Sequence, residues 1–382
     1  MDLTWSDEQR MMIESIRDFC EDRLGPIARE IDEKGKTPPE ILREMSDLGL
    51  MSMPIPHEYD GLGLDSLTIC AVIEEISRVC ASVAITISVH NSVGAYPILL
   101  FGTEEQKRLY LPKMCREWLG AFALTEPNAG SDAAGITTQA RKEGDAYILN
   151  GSKMFVTNGS IGQLLLVIAR TDPDPASRHK GISAFLVPAD SPGISVASAG
   201  EKMGIRGSDT AVVHLDNVRV AADHLLGGEG EGFKIAMASL DNGRLGVGAQ
   251  AVGIAQAALD EAVKYAKERE AFGRPLAEKQ AIQFMVAEME TSLQAARLLI
   301  HRAAWMKDEN RPYSKEAAMA KLFAAEMVQS VTHDAIQIHG GYGYMKEYPV
   351  ERYARDARIT EIYEGASEIQ RIVIARSLLK ED

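Results

Sequence analysis

The segment Ile362-Tyr363-Glu364-Gly365-Ala366-Ser367-Glu368-Ile369-Gln370-Arg371 places a carboxylate between two large apolar residues and a glycine. A carboxylate with open space beside it is a candidate proton acceptor. Gly365 breaks a helix and removes side-chain bulk next to Glu364, and Ser367 caps the helix that follows. Read alone, Glu364 is equally an ordinary surface glutamate in a charged stretch, with Glu361 and Glu368 as its equivalents.

Five other segments combine residue types that bind polar ligands. Phe122-Ala-Leu124-Thr125-Glu126-Pro-Asn-Ala-Gly130-Ser131-Asp132 packs turn formers and hydroxyls together, as either a capped loop or a backbone-rich pocket wall. Phe155-Val-Thr157-Asn-Gly159 reads as a strand end, or as a ring and a hydroxyl facing a flat ligand. Asp241-Asn-Gly243-Arg244 reads as the start of a helix, where free N–H groups and a cation suit an anion, or as a surface turn. Arg269-Glu-Ala-Phe272-Gly-Arg-Pro275 with Gln280, and Gln337-Ile-His339-Gly340-Gly341-Tyr-Gly343, read as helix ends or as close approaches to a ligand backbone.

The elements that must position these residues change character twice along the chain. The first 120 residues carry helical periodicity, with Ser6 and Gln9 forming a capping-box start before Met11, Met12, Ile16 and Phe19. Residues 66 to 100 are so poor in polar positions that they form a well-buried helical stretch. From Phe122 short apolar runs alternate with Gly, Pro and Asp, and Asn150-Gly151 reads as a type I′ hairpin turn between two strands. From about residue 232 strong helix formers return, broken at 272–275 and 309–312. A third helix runs from about Ser314 to His339 and a last from Ser367 to Leu379, so four helices on short connections form an antiparallel bundle. The expected fold is α+β: a helical domain over residues 1–121, a β domain over 122–231 and a helical bundle over 232–382.

Composition bounds the function. With 382 residues and a formal net charge of −14, the chain is a poor nucleic-acid partner. The four cysteines, Cys20, Cys70, Cys80 and Cys115, form no C-x-x-C pair and read as reduced, buried thiols. The eight histidines lack metal-ligand spacing, and no dinucleotide fingerprint, phosphate loop, zinc-protease or serine-hydrolase motif occurs. No metal is expected. The acidic N-terminus has neither signal-peptide nor transit-peptide character, and no stretch reaches the roughly 18 apolar residues of a membrane span. The expected place is the cytoplasm, or an organelle matrix if a presequence has been removed.

Taken together, in order and at matching spacing, the six segments resemble the acyl-CoA dehydrogenase family, most closely its short-chain (butyryl-CoA) branch and bacterial relatives. The helical–β–helical order agrees with that family's fold. The resemblance implies FAD-dependent oxidation of an acyl-CoA thioester to the trans-2-enoyl-CoA. Glu364 would remove the α-proton while a hydride leaves the β-carbon for flavin N5. Its backbone N–H would bind the thioester carbonyl and stabilise the developing enolate. Burial in a pocket closed by the acyl chain would raise its pKa toward the task. Some branches place the base at the position held here by Gly243, which favours Glu364.

The resemblance further implies a flavin-binding wall at Phe122, Leu124, Thr125, Gly130 and Ser131, with Phe155 and Thr157 at the flavin ring. Many members carry Trp where Phe155 stands. Arg269, Phe272, Gln280, Gln337, Gly340 and Gly341 match contacts to the FAD pyrophosphate and adenosine. Ala366 and Glu368 match further FAD positions, although Thr is common where Ala366 stands. Ser131, Asp241, Arg244 and Gly365 match CoA or substrate contacts. FAD contacts in the family come from two subunits, within a homotetramer built as a dimer of dimers. An electron-transfer flavoprotein is the expected electron acceptor. Glutaryl-specific relatives carry an arginine where Ala84 aligns, which disfavours a distal carboxylate; a straight short chain is the first expectation and a branched or cyclic acyl group the alternative, with Thr86, Ile87 and His90 as candidate pocket lining.

Overall fold

The computed structural model describes residues 5–379. Helices α1 (Asp7–Phe19), α2 (Ala28–Lys34), α3 (Pro39–Asp47), α4 (Ser66–Val79), α5 (Ala81–Val89), α6 (Tyr96–Phe101) and α7 (Glu104–Met114) form the N-terminal part. The expected capping box starts α1: Gln9 N–H donates to Ser6 Oγ at 3.1 Å, and Ser6 N–H donates to Gln9 Oε1 at 3.0 Å. The four cysteines are free and buried. The sequence reading expects no membrane span. Ala81–Phe101, which runs through α5, a π turn and α6, is long and apolar enough by composition to cross a membrane. Most of it is buried inside the fold, where α5 packs against α4 and the helix that opens the C-terminal part.

The middle part is one eight-stranded sheet of β1 (Gly120–Ala123), β2 (Gln139–Glu143), β3 (Ala146–Thr157), β4 (Leu164–Arg170), β5 (Ile182–Pro188), β6 (Ile194–Ser198), β7 (Thr210–Ala221) and β8 (Leu225–Leu226). Its order is β6-β7-β3-β2-β4-β5-β8, with β1 lying parallel to β4. The hairpin turn expected at Asn150-Gly151 is absent, because both residues lie inside β3. The turn is at Gly144-Asp145, between the paired residues Glu143 and Ala146, where Gly144 takes φ 62°. Opposite Asn150 it is β7 that bulges, with Asp216 and Asn217 facing one β3 residue and Asn217 at φ 52°. Gly151 is needed there for space: a β-carbon would come 2.5 Å from Thr138 Oγ1. The local turn signal lost to a strand whose flanks Tyr147, Leu149 and Val156 are all buried in the sheet core.

The C-terminal part holds α8 (Gly232–Glu268), a two-residue ribbon β9 (Glu270–Ala271) and β10 (Arg274–Pro275), then α9 (Gln280–Asp308), α10 (Ser314–His339), α11 (Val350–Ala357) and α12 (Ser367–Leu379). The four expected helices are α8, α9, α10 and α12. The connection between the last two is long and carries α11, a helix the sequence reading missed. The start of α8 buries Ile235 and Ala236 against the sheet residues Leu166, Leu186 and Leu226. From Leu245 onward α8 runs through a second core shared with α4, α5, α9 and α10, built from Ile73, Ile76, Ile254, Ile300 and Val328. Burying such a side chain fully stabilises by about 1.5–3 kcal/mol each. One helix thus ties all three parts together and carries residues 241–244 between them.

Candidate active site

Glu364 sits on a tight turn between α11 and α12. Its φ is 52°, and Gly365 follows at φ 94°. A non-glycine residue in this region costs roughly 1–3 kcal/mol, so the surroundings must hold it there. Three side chains do so. Lys321 Nζ, from α10, donates to Gly365 O at 2.9 Å. Gln370 Nε2 donates to Gly365 O at 2.8 Å and to Glu364 O at 3.3 Å. Tyr363 OH donates to Gln250 Oε1 of α8, while Gln250 Nε2 donates to Ala81 O at 3.0 Å. Lys321, Gln250 and Gln370 are fully buried.

The carboxylate itself is left free. Its Oε2 is buried and has no hydrogen-bond partner. It faces Gly243 on α8, where a β-carbon would lie 1.7 Å from Oε2. Burial raises the Glu364 pKa to about 7, against the opposing pull of the Lys321 and Arg244 charges. A carboxylate so poised exchanges a proton near neutral pH.

Asp241 and Arg244 are not at a helix start, which corrects the sequence reading. They lie inside α8, where the backbone N–H groups are already used by the helix. Arg244 is buried, pairs with Asp241 on its own helix, and leaves Nε without a partner. Ser314 Oγ at the start of α10 donates to the same Asp241 oxygen at 3.0 Å.

The Phe122–Asp132 and Phe155–Gly159 segments are joined at one end of the sheet. Lys153 Nζ donates to Glu126 Oε1 at 2.7 Å and to Leu124 O at 3.0 Å, and both side chains are buried. Glu126 also accepts from Thr137 N–H at 2.7 Å and Thr138 N–H at 3.0 Å. Burial opposes the Glu126 charge, but Lys153 and these donors outweigh it and hold its pKa down to about 2. Met154 N–H donates to Thr125 O at 2.8 Å. Next to this clamp Phe155 takes φ 55° and turns out of the sheet, 62% exposed. Leu124 is buried, Phe122, Thr125 and Thr157 are half-buried, and Gly130 and Ser131 are exposed. Asn158 is buried and bonds both Thr86 O (3.1 Å) and Gly120 O (3.2 Å).

A separate group gathers where α8 and α10 end. Arg269, Gly340 and Gly341 line a depression of about 460 Å³ with Tyr265, His339 and Tyr342. The Arg269 guanidinium lies 5.7 Å from the centre of the Tyr342 ring. Nearby in sequence Phe272 is 98% exposed, and Gln280 and Gln337 are exposed as well. Ala366 is half-buried and Glu368 exposed at the start of α12.

The expected pocket lining on α5 and the π turn after it is mostly committed elsewhere. His90 Nε2 donates to Met51 O at 2.8 Å, and its Nδ1 accepts from Gly120 N–H at 2.9 Å. Burial pushes its pKa down to about 4, so it is neutral and fully bonded. Thr86 Oγ1 donates to Ser82 O, and Ile87 is in the core. Ala84 is fully buried. The residues missed by the sequence reading are Lys321, Gln370, Gln250 and the Lys153–Glu126 pair. Lys321 had a signal: it shares the helical stripe of Ala317, Ala324 and Val328, all buried.

Family models described as the acyl-CoA dehydrogenase N-terminal, middle and C-terminal domains match residues 6–117, 121–218 and 230–379. The mitochondrial short-chain specific acyl-CoA dehydrogenase of Homo sapiens is 50% identical over 98% of this chain and 90% of its own. The butyryl-CoA dehydrogenase of Megasphaera elsdenii superposes with a TM-score of 0.97 at 44% identity, covering all of both chains. A chain in the solved structure of the electron transferring flavoprotein of Acidaminococcus fermentans superposes equally well, at 46% identity and full coverage of both. With three domain models matched in order along nearly its whole length, the chain belongs to the acyl-CoA dehydrogenase family, a family of oxidoreductases.

Proposed function

We propose that this enzyme oxidises a short, straight-chain acyl-CoA thioester between its α and β carbons, with Glu364 as the base that takes the α-proton. The observation that carries the reading is the unpartnered, buried Oε2 of Glu364 facing the gap at Gly243. A buried carboxylate with no donor on one oxygen is costly unless a ligand proton uses it. The pKa near 7 leaves it able to accept that proton at neutral pH. The Glu364 N–H binds the thioester carbonyl and favours the enolate-like charge that develops as the proton leaves.

FAD is the cofactor, and this chain's residues fit it. Phe155, turned outward beside Thr157, suits a flat ring, and Arg269 with the bare backbone of Gly340 and Gly341 suits an anionic pyrophosphate. When bound, FAD supplies the two-electron acceptor for the hydride. Phe122, Leu124, Thr125, Gly130, Ser131, Phe155 and Thr157 would hold the ring end. Arg269, Phe272, Gln280, Gln337, Gly340, Gly341, Ala366 and Glu368 would hold the remainder, drawn from a second subunit in a homotetramer. The exposure of Phe272 and the α10-end glycines in a single chain supports that division. Ser131, Asp241, Arg244 and Gly365 would contact the CoA thioester.

The short straight chain is supported by the short-chain and butyryl relatives at 44–50% identity. It is also supported by Ala84, which puts no cation at the α5 position of a distal-carboxylate reader. An electron-transfer flavoprotein as the electron acceptor is supported by the Acidaminococcus likeness. Anaerobic titration with a panel of acyl-CoAs, following loss of flavin absorbance, tests cofactor, reaction and chain length together. Butyryl-CoA should bleach the flavin and Glu364→Gln should abolish the bleaching while keeping FAD. Near-normal reduction in that variant refutes the base assignment.

A further inference from the structure

Among the described residues, Lys321 is the one fully buried ammonium beside the Glu364 turn. It reaches Gly365 O from α10, the helix that packs along α8, where Lys321 lies against Gly248. A buried ammonium needs opposite charge or strong acceptors to remain ionised. The charged groups that act on it are Glu364 itself, Arg244 on α8 and, more weakly, Glu368 on α12. Arg244 is already paired with Asp241 on its own helix, and Glu368 is exposed. Glu364 directly precedes the carbonyl that Lys321 holds, so it is the carboxylate whose charge acts on Lys321 most, without a direct ion pair.

The mechanical arrangement points the same way. The Gly365 carbonyl accepts two donors, one charged from Lys321 and one neutral from Gln370. Those bonds hold the carbonyl of a residue at φ 94°, directly after Glu364 at φ 52°. Release of that carbonyl lets the strained turn relax toward ordinary backbone angles, which swings the carboxylate away from the Gly243 gap.

We propose that Lys321 is a positioning residue for Glu364: its ammonium pins the Gly365 carbonyl that sets the turn, and its charge keeps the neighbouring carboxylate ready to accept a proton. The inference rests on the reading of Glu364 as the base. It separates two roles on one carbonyl, with Gln370 giving geometry alone and Lys321 giving geometry and charge. Burial draws the Lys321 pKa down to about 8, so its charge is present at neutral pH and fades in the alkaline range.

The test uses FAD-loaded enzyme and two readouts. The first is the infrared carbonyl stretch of protonated Glu364, assigned by its absence in Glu364→Gln and titrated against pH. The second is the pH dependence of anaerobic flavin reduction by butyryl-CoA. Lys321→Met should move both midpoints upward by about one pH unit or more, as expected for losing one nearby opposite charge. Lys321→Arg should restore them. Gln370→Leu should slow reduction and leave the infrared midpoint in place. Unmoved midpoints in folded Lys321→Met, or equal shifts in Gln370→Leu, overturn the proposal. If Lys321→Met does not fold, Lys321→Gln keeps a donor for the carbonyl without the charge and must show the same upward shift. Failure of the base reading is seen separately, as flavin reduction surviving in Glu364→Gln, and the infrared titration still judges Lys321.

Discussion

Gly243 and Glu364 compete for one space: a β-carbon on residue 243 would lie 1.7 Å from Glu364 Oε2. Gly243→Ala must therefore displace the carboxylate, since α8 is anchored on both sides by buried neighbours. Flavin reduction by butyryl-CoA should fall about 100-fold, the scale expected for an ångström of misplacement. FAD content should stay normal. Stopped-flow reduction at wild-type speed in this variant would show that the carboxylate position is irrelevant to the chemistry.

Protonation of Glu364 gives a second expectation. Its pKa is raised to about 7, chiefly by burial, so the proton-accepting form is lost as pH falls through that value. The reduction rate should climb with pH through about 7 and then level. The same shift has a stability consequence of opposite sense. The folded chain keeps this proton where the unfolded chain, near 4.5, has released it, so stability falls as pH rises between those values. Glu364→Gln removes that loss. Its melting temperature should pull ahead of the parent's from pH 4.5 to 7 and keep a constant lead above; a lead that shrinks with rising pH contradicts the assignment.

The Lys153–Glu126 pair clamps the loop that carries Leu124 and Thr125. Lys153→Met strands Glu126 as a buried charge, and breaking such a pair costs about 3–5 kcal/mol. Thermal unfolding should drop sharply and FAD should leave more readily, because the loop beside Phe155 loses its tie. Retention of both properties would mean the Thr137 and Thr138 donors suffice for Glu126.

Phe272 is 98% exposed in the single chain, so Phe272→Ala removes no core contact. If the α8–α9 turn reaches FAD in a neighbouring subunit, this variant should lose FAD on dilution and sediment as smaller species, with unchanged helical content by circular dichroism. An unchanged assembly that retains flavin would place that turn outside the cofactor site.

Much of the fold was legible because it is local. Ser6 and Gln9 cap α1 through groups three residues apart, and the boundaries of α10 and α12 follow from helix-forming runs flanked by glycine and serine. Where the signal was local but the decision was not, the reading failed. Asn150-Gly151 has the composition of a turn, yet the buried flanks of β3 carry the strand straight through it, and the extra residue falls on β7 opposite. Asp241-Asn-Gly-Arg244 has the composition of a helix start, yet α8 begins nine residues earlier because Gly232, Ile235 and Ala236 pack beneath it.

The sequence alone determined the residue types: a glutamate before a glycine, a glycine at 243 and a family resemblance that joins them. It could not determine that those two positions face each other, because they lie 121 positions apart in the chain. Tertiary structure decided that α10 delivers Lys321 to the Gly365 carbonyl and that α8 presents a bare backbone to the carboxylate. The physical reason is that a buried charge takes its properties from whatever the packing brings within a few ångströms, and packing is not a property of any one segment.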